Sequence, residues 1–488
     1  MSSTLEKHLE TRGPIRRVGV VGMGYVGIPA AMLLADAPNV EIVWGFQRQS
    51  ATSGYKIDML NRGECPLKGE EPGLDALVKK VVDAGKFRCT SDFSRVADVD
   101  AVTLSIQTPF ADPKDLLPDF SALFEGLRLV GRHLAPGTLV VLESTVTPGT
   151  TAGPARQILE EESGLVAGED FALAHAPERV MVGRLLRNIR EHDRCVGGID
   201  EPSTRRAAEL YAPILTEGKI IPMSATAAEV TKTAENTFRD LQIAAINELA
   251  LYCEAMGINV YDVRAGIASL KGEGITRAVL YPGAGVGGHC LTKDTYHLER
   301  GVKVAAGTLD YPAGRDSLFV LARTINDFMP RHMFTLTKDA LDRAGVALGG
   351  ANVALLGWAF IRDSDDARNT PSEIYRDLLL EAGTRVTVHD PWVEHYPGVA
   401  IESDIGKVLS GADAVAIFTD HAAYRGLAAD VMKALTGREH PVIVDGRNVI
   451  DPDAFIGAGW IYRGIGRGDK NSHPIVEKGI RRNRTRRP

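Results

Sequence analysis

The run Val18-Gly-Val-Val-Gly-Met-Gly-Tyr-Val-Gly27 constrains this chain more than any other stretch. Val18–Val21 reads as a buried strand and Tyr25–Ala35 as a helix entered past Gly27. Pro29 is tolerated there, because a helix's first turn needs no internal N–H donor. Between strand and helix stand Gly22, Gly24 and Gly27, spaced G-x-G-x-x-G. In that setting the first glycine permits the turn, the second lets a pyrophosphate approach, and the third brings helix against strand. Phosphates then sit at the positive end of the helix. The alternative is a glycine turn with no ligand, and the coincidence of strand, fingerprint and helix favours the nucleotide. Val18–Ala35 is almost uncharged, but four glycines within it and Asp36 at its end fit strand, turn and helix better than a membrane span.

The same rhythm continues. Val40–Phe46 is a second strand, and Ala101–Ile106 and Thr138–Leu142 are unbroken apolar runs, as strands buried on both faces require. Texture changes near Thr226. Thr226-Ala-Ala-Glu229 fits a capping box, helical spacing persists to Met256, and Gly257 is a stop. Such a helix spans roughly 40–45 Å and suits a domain link or a subunit contact. Strand patterns resume at Asn352–Gly357, Val386–His389, Ala414–Phe418 and Val442–Asp445. At 488 residues several domains are expected. The reading is α/β: two Rossmann-like doubly wound domains, 1–222 and 336–488, joined by a long central helix and a small helical domain, 223–335.

A net charge of −7 argues against nucleic acid as the main partner. Five scattered cysteines with no Cys-x-x-Cys pair suit a reducing compartment and argue against a zinc site or disulfide framework. The first ten residues carry no apolar core, so a cytoplasmic protein without a membrane partner is expected. The basic end, Lys478–Pro488, reads as a solvated tail.

The second strong signal is Pro282-Gly-Ala-Gly-Val-Gly-Gly-His-Cys-Leu-Thr-Lys-Asp294. One thiol ends a glycine run, with a cation and a carboxylate just behind it. Elsewhere a lone cysteine is best read as a small buried hydrophobe. After this run, Cys290 reads as a nucleophile for a carbonyl. A dinucleotide site together with such a thiol points to an oxidation that passes through a thioester. Lys232 and Asn236, four residues apart on the long helix, share a face. One expected piece is missing. Where an acidic residue should meet the adenosine ribose, the chain has Gly45-Phe-Gln47-Arg48. Gln47 can bond a hydroxyl without repelling a 2′-phosphate, and Arg48 can attract one. NAD is expected, with NADP left open.

Seven landmarks stand in order: Gly22–Gly27, Gln107-Thr-Pro109, Glu143-Ser-Thr-Val-Thr-Pro-Gly149, Ala176-Pro-Glu-Arg179, Glu229-Val-Thr-Lys-Thr-Ala-Glu-Asn236, the cysteine segment, and Asp365-Asp-Ala-Arg368. In these the chain resembles the UDP-glucose/GDP-mannose dehydrogenase family, over roughly Arg17 to Arg467. The resemblance implies that a UDP-sugar's C6 hydroxyl is oxidised twice, consuming two NAD. It implies catalytic roles for Cys290, for Lys232 and Asn236 at the developing oxyanion, for Glu178 as base, and for Asp294 and Thr145 in placing water. It implies cofactor contacts from Gly22, Gly24, Tyr25, Val26, Gly27, Gln47, Arg48, Thr108, Thr145 and Arg368. Substrate contacts are implied for Glu178, Arg179, Lys232, Asn236, Arg277, Gly287 and Arg447, and assembly as a homodimer or higher homo-oligomer. Ile361 stands where the family commonly has lysine. Pro-Glu-Arg-Val before Gly183 and the Gly-Gly-His-Cys ending resemble members acting on UDP-N-acetylhexosamines, UDP-N-acetylmannosamine first, then UDP-N-acetylglucosamine, with UDP-glucose third. Without the resemblance, each polar residue named is equally a surface, capping or ion-pairing group.

Overall fold

The computed structural model describes residues 3–50, 53–67, 71–112, 117–180, 183–269, 279–288, 290–305 and 317–471. Arg277 and the basic tail lie outside them. The chain forms two compact units, Met1–Glu235 with Tyr296–Pro312, and Asn236–Thr295 with Ala313–Pro488.

The first unit is built on β1 (Arg17–Val21), β2 (Ile42–Phe46), β3 (Phe87–Thr90), β4 (Ala101–Leu104), β7 (Leu139–Leu142), β8 (Ala172–His175), β9 (Arg194–Gly198) and β10 (Ile220–Ser224). A two-stranded ladder, β5 (Phe110–Asp112) and β6 (Leu117–Pro118), stands apart. The sheet order is β10-β9-β8-β7-β4-β1-β2-β3, parallel except where β9 runs against β8. Six of these strands reproduce the 3-2-1-4-5-6 order of a dinucleotide-binding sheet, its order reversing between β1 and β4. Both faces are covered. Val18, Val20 and Ala101 join a core with Ile28, Met32 and Val78. Val102 and Leu104 join another with Leu123 and Leu127. The helix Gly27–Asp36 is apolar all round and buried through Ala35, as a helix against such a sheet must be.

The second unit repeats the topology. Its sheet runs β13 (Ile401–Glu402), β12 (Arg385–His389), β11 (Asn352–Leu356), β14 (Ala414–Ile417), β15 (Val442–Asp445), β16 (Ile461–Gly464), every pair parallel. Val353 and Leu355 face a core with Met329 and Met333 of the helix Leu318–Arg343, while Ala354 and Leu356 face the other side. Asp390, ending β12, holds the position of a ribose-binding acid, but its carboxylate is taken up by the protein. It accepts the N–H groups of Trp358 and Ala359 at 2.7 and 2.8 Å and of Trp392 and Val393 at 2.8 and 3.0 Å.

The long helix runs Ala225–Met256. The capping box expected at Thr226 is not what starts it. Ser224 Oγ accepts the Ala227 N–H at 3.2 Å, and Glu229 is spent elsewhere. Its buried carboxylate accepts the N–H groups of Gly149 and Thr151 at 2.6 and 2.7 Å, and the Thr151 hydroxyl at 2.6 Å. Apolar helix spacing signals a start at this point, but it cannot show that a distant loop claims the glutamate.

Candidate active site

In the first unit the candidate residues gather at the carboxyl ends of the parallel strands, around the reversal in strand order, where open α/β sheets bind ligands. Gly22 has φ +99°, and a Cβ there would stand 2.6 Å from Ser105 O. A Cβ on Gly27 would stand 1.9 Å from Gly22 O, so only hydrogen fits where helix meets strand. Gly24 differs: a Cβ on it would meet nothing within 4 Å. The protein itself does not demand that glycine, whereas an approaching pyrophosphate does, and the residues therefore fit a dinucleotide. Tyr25 and Val26 follow, both half-buried, and no side chain caps the helix that starts at Gly27.

Past β2, Gln47 Oε1 accepts the Met23 N–H at 3.1 Å and its Nε2 donates to Ser53 Oγ at 3.0 Å. Arg48 is exposed. Lys56 Nζ donates to Met23 O at 2.9 Å, and burial pushes its ammonium below the usual lysine range. Past β4, buried Thr108 donates its hydroxyl to Thr145 O at 2.5 Å, tying together two loops of the crevice.

Three buried charges lie beyond β7 and β8. Arg194 opens β9, 4% exposed, and its guanidinium donates to Glu178 and, at 2.8 Å, to Glu143. It lies 3.8 Å from the centre of the Tyr211 ring, and Tyr211 OH donates to Glu143 at 2.8 Å. Burial raises the Glu143 pKa, opposed by Arg194. Burial alone would weaken Arg194 as a base, but Glu178, Tyr211 and Glu143 outweigh it and hold the cation firmly. Arg179 pairs with Glu235 at 2.7 Å, and Lys232 is buried one turn past Glu229.

In the second unit a glycine strap crosses the carboxyl edge of the sheet. Gly287 and Gly288 lie on Phe360, where a Cβ would stand 2.6 and 2.7 Å from its atoms. Gly283 lies against the Arg447 guanidinium in the same way, at 2.5 Å. Arg447 is 3.9 Å from Asp420. The strap is pinned from behind. Buried Asn247 accepts the Gly283 N–H and donates to Asn326, each at 2.9 Å, and Asn326 donates to Asp240 at 2.8 Å. Arg323 completes the chain to Asp240 at 2.6 Å.

The strap delivers Cys290 to the head of the helix Leu291–Ala305, where its carbonyl accepts the N–H of Lys293 at 3.1 Å and of Asp294 at 2.8 Å. Cys290 is exposed, whereas Cys89, Cys195 and Cys253 are buried and Cys65 is half-buried. Burial pushes the Cys65 and Cys89 thiols up to about 11 and about 12, so those two stay protonated. Asp294 is fully buried. Asn236 Nδ2 donates to it, and Lys293 Nζ lies 3.3 Å away. Arg368 is clamped by Asp366 at 2.6 and 2.8 Å, and its carbonyl accepts the Gly288 N–H. Arg362, next to Ile361, pairs with Asp363 at 3.1 Å.

The first unit thus holds Gly22, Gly24, Tyr25, Val26, Gly27, Gln47, Arg48, Thr108, Thr145, Glu178, Arg179 and Lys232, and the second holds Asn236, Gly287, Cys290, Asp294, Arg368 and Arg447. Sequence reading missed Arg194, Tyr211 and Asn247. A signal existed for Arg194, an arginine opening the apolar run Arg-Cys-Val-Gly-Gly, since an unpaired charge is almost never fully buried. Among the described residues, no cluster of His, Cys, Asp and Glu is placed to hold a metal, and no helix is long and apolar enough to cross a membrane.

Three family models match in chain order: "UDP-glucose/GDP-mannose dehydrogenase family, NAD binding domain" over 16–215, its central domain over 226–313, and its UDP binding domain over 354–452. A UDP-N-acetyl-D-mannosamine dehydrogenase of Pyrococcus horikoshii is 35% identical over 93% of this chain and 100% of its own. An NDP-N-acetyl-D-galactosaminuronic acid dehydrogenase of Ralstonia solanacearum is 31% identical over 86% of this chain and 94% of its own. A crystal structure of an NDP-N-acetyl-D-galactosaminuronic acid dehydrogenase from Methanosarcina mazei Go1 is 71% identical, with TM-score 0.89, covering 97% of this chain and 100% of its own.

Proposed function

Since the chain belongs to the UDP-glucose/GDP-mannose dehydrogenase family and is an NAD-dependent oxidoreductase, we propose that it oxidises C6 of a UDP-linked N-acetylhexosamine from alcohol to carboxylate through a thioester on Cys290. The observation that carries this reading is Cys290 itself, an exposed thiol at the head of a helix, on a glycine strap, beside the buried Asp294–Asn236 pair.

Gly22, Gly24, Gly27 and the Thr108–Thr145 loops would hold NAD, which would accept the hydride lost from C6 in each step. Glu178 takes the proton of the C6 hydroxyl as the first hydride leaves, giving an aldehyde. The Cys290 thiolate adds to the aldehyde carbon, and the oxygen takes up a proton, giving a thiohemiacetal. Loss of that proton and a second hydride leaves a thioester. Water placed by Thr145 and Asp294, its proton taken by Glu178, then breaks the carbon–sulfur bond, releasing carboxylate and thiol. Lys232 and Asn236 stabilise the oxygen that becomes negative. Arg447 and Gly287 contact the sugar nucleotide, with Arg179.

The preferred sugar is UDP-N-acetylmannosamine, the substrate in the name of the Pyrococcus relative. The 71% identity to the Methanosarcina protein favours a second reading, a galacto-configured N-acetyl sugar. A panel of UDP-N-acetylmannosamine, UDP-N-acetylgalactosamine, UDP-N-acetylglucosamine and UDP-glucose with NAD and NADP, followed at 340 nm, separates them. Turnover with an N-acetyl sugar is expected. Activity confined to UDP-glucose would reject the sugar class.

A further inference from the structure

Resting on the reading of Glu178 as base, we propose that Arg194 and Glu143 are its positioning residues: Arg194 aims the carboxylate, and Glu143 supplies the second anion to which the guanidinium is bridged. The three side chains come from the ends of three adjacent strands, β7, β8 and β9, and are 4–8% exposed. One Arg194 nitrogen donates to Glu178 Oε2 and the other to Glu143 Oε1. The other Glu178 oxygen accepts the Arg179 N–H at 2.9 Å. Glu178 is therefore held at both oxygens. A planar guanidinium bridges two carboxylates in a way an ammonium cannot copy.

A buried carboxylate facing a guanidinium alone would bind protons too weakly to serve as a base. Glu143 is the counterweight. Its oxygens accept from Arg194, from Tyr211 OH and from Ser105 Oγ, which is the pattern of an ionised carboxylate. One cation between two anions leaves a net negative charge. Among the described residues, Glu178 accepts from the guanidinium and from the Arg179 N–H.

The surrounding groups of this unit do not substitute for Glu143. His175 on β8 is fully buried, and burial and then Arg194 push it down to about 3, so it is neutral. Burial keeps the Tyr211 phenol protonated and pushes the Cys195 thiol up. The Arg179 guanidinium is paired with Glu235.

Glu143→Gln separates this role from mere packing, because the amide can still accept from Arg194 and Tyr211. In the full-length enzyme, Arg194 then acts on Glu178 alone. The acid limb of the kcat/KM pH profile should move down by about one unit and kcat should fall about tenfold, with KM nearly unchanged. Arg194→Lys, which keeps the charge but loses the bridge, should lower kcat by about a hundredfold. If the lysine variant does not fold, Glu143→Gln decides alone. A Glu143→Gln enzyme with the parent's kcat and pH profile overturns the proposal. The base assignment fails separately, if Glu178→Gln turns over like the parent.

Discussion

Replacing Gly24 with alanine separates what the fold needs from what the cofactor needs. The new methyl would meet no protein atom within 4 Å, and Gly24 does not occupy a left-handed conformation. The folded state gains no clash, while the unfolded chain loses freedom worth about 0.4–1 kcal/mol. Stability without cofactor should therefore stay level or rise slightly. The methyl nevertheless occupies the approach of the pyrophosphate. A weakening of about 1.4–2.8 kcal/mol is expected, or about 10- to 100-fold in the Kd for NAD. Gly27→Ala is the contrast: its methyl would stand 1.9 Å from Gly22 O. Backbone must move, at a cost of about 1–3 kcal/mol, and both stability and NAD affinity should fall. Calorimetric titration with NAD, paired with thermal unfolding in its absence, reads both quantities. An alanine at Gly24 that folds and binds NAD as tightly as the parent would refute the assignment of that turn to the pyrophosphate.

Asp100, 2% exposed, accepts the N–H groups of Arg16 and Arg17 at 3.0 and 2.9 Å and the Arg17 guanidinium at 2.9 Å. Burial alone would raise its pKa, but these donors outweigh it and hold the carboxyl below the usual range. Its stabilisation is therefore full above about pH 4 and disappears as pH falls through the lower, folded value. Asp100→Asn should lower the melting temperature at pH 7, with the gap to the parent closing toward pH 3. Asn247→Leu strands the Gly283 N–H and the Asn326 carbonyl, both buried. It should cost about 2–4 kcal/mol, read as a lower urea midpoint. An unchanged midpoint would mean the strap is not anchored there.

Much of the architecture was legible because buried parallel strands leave a plain mark. Ala101–Ile106, Thr138–Leu142 and Val442–Asp445 were each found within two residues of their observed bounds, since strands covered on both faces must be continuously apolar. β10 escaped, because its residues are half-buried or exposed and carry Pro222. β9 escaped as well, since it opens with a charge and ends in two glycines, the opposite of a strand signal. In the site, local chemistry was readable and distant pairing was not. The glycines of the nucleotide turn and the cysteine of the strap announce themselves by spacing. Glu143 stood in a recognised stretch, but its partners Arg194 and Tyr211 lie 51 and 68 residues further on. Glu229 was misread for the same reason, its loop partner Gly149 being 80 residues earlier. Apolar periodicity reports how much of an element is buried; it does not report which charge neutralises which.

The most direct test of the central claim is the number of NADH formed per sugar. With limiting UDP-N-acetylmannosamine, or whichever sugar the panel selects, and excess NAD, absorbance at 340 nm should reach two NADH per sugar. The product should be a carboxylate, and Cys290→Ser, though folded, should release none. One NADH per sugar with a free carbonyl product, or a serine variant that makes acid at the parent's rate, would contradict a four-electron oxidation held on that sulfur.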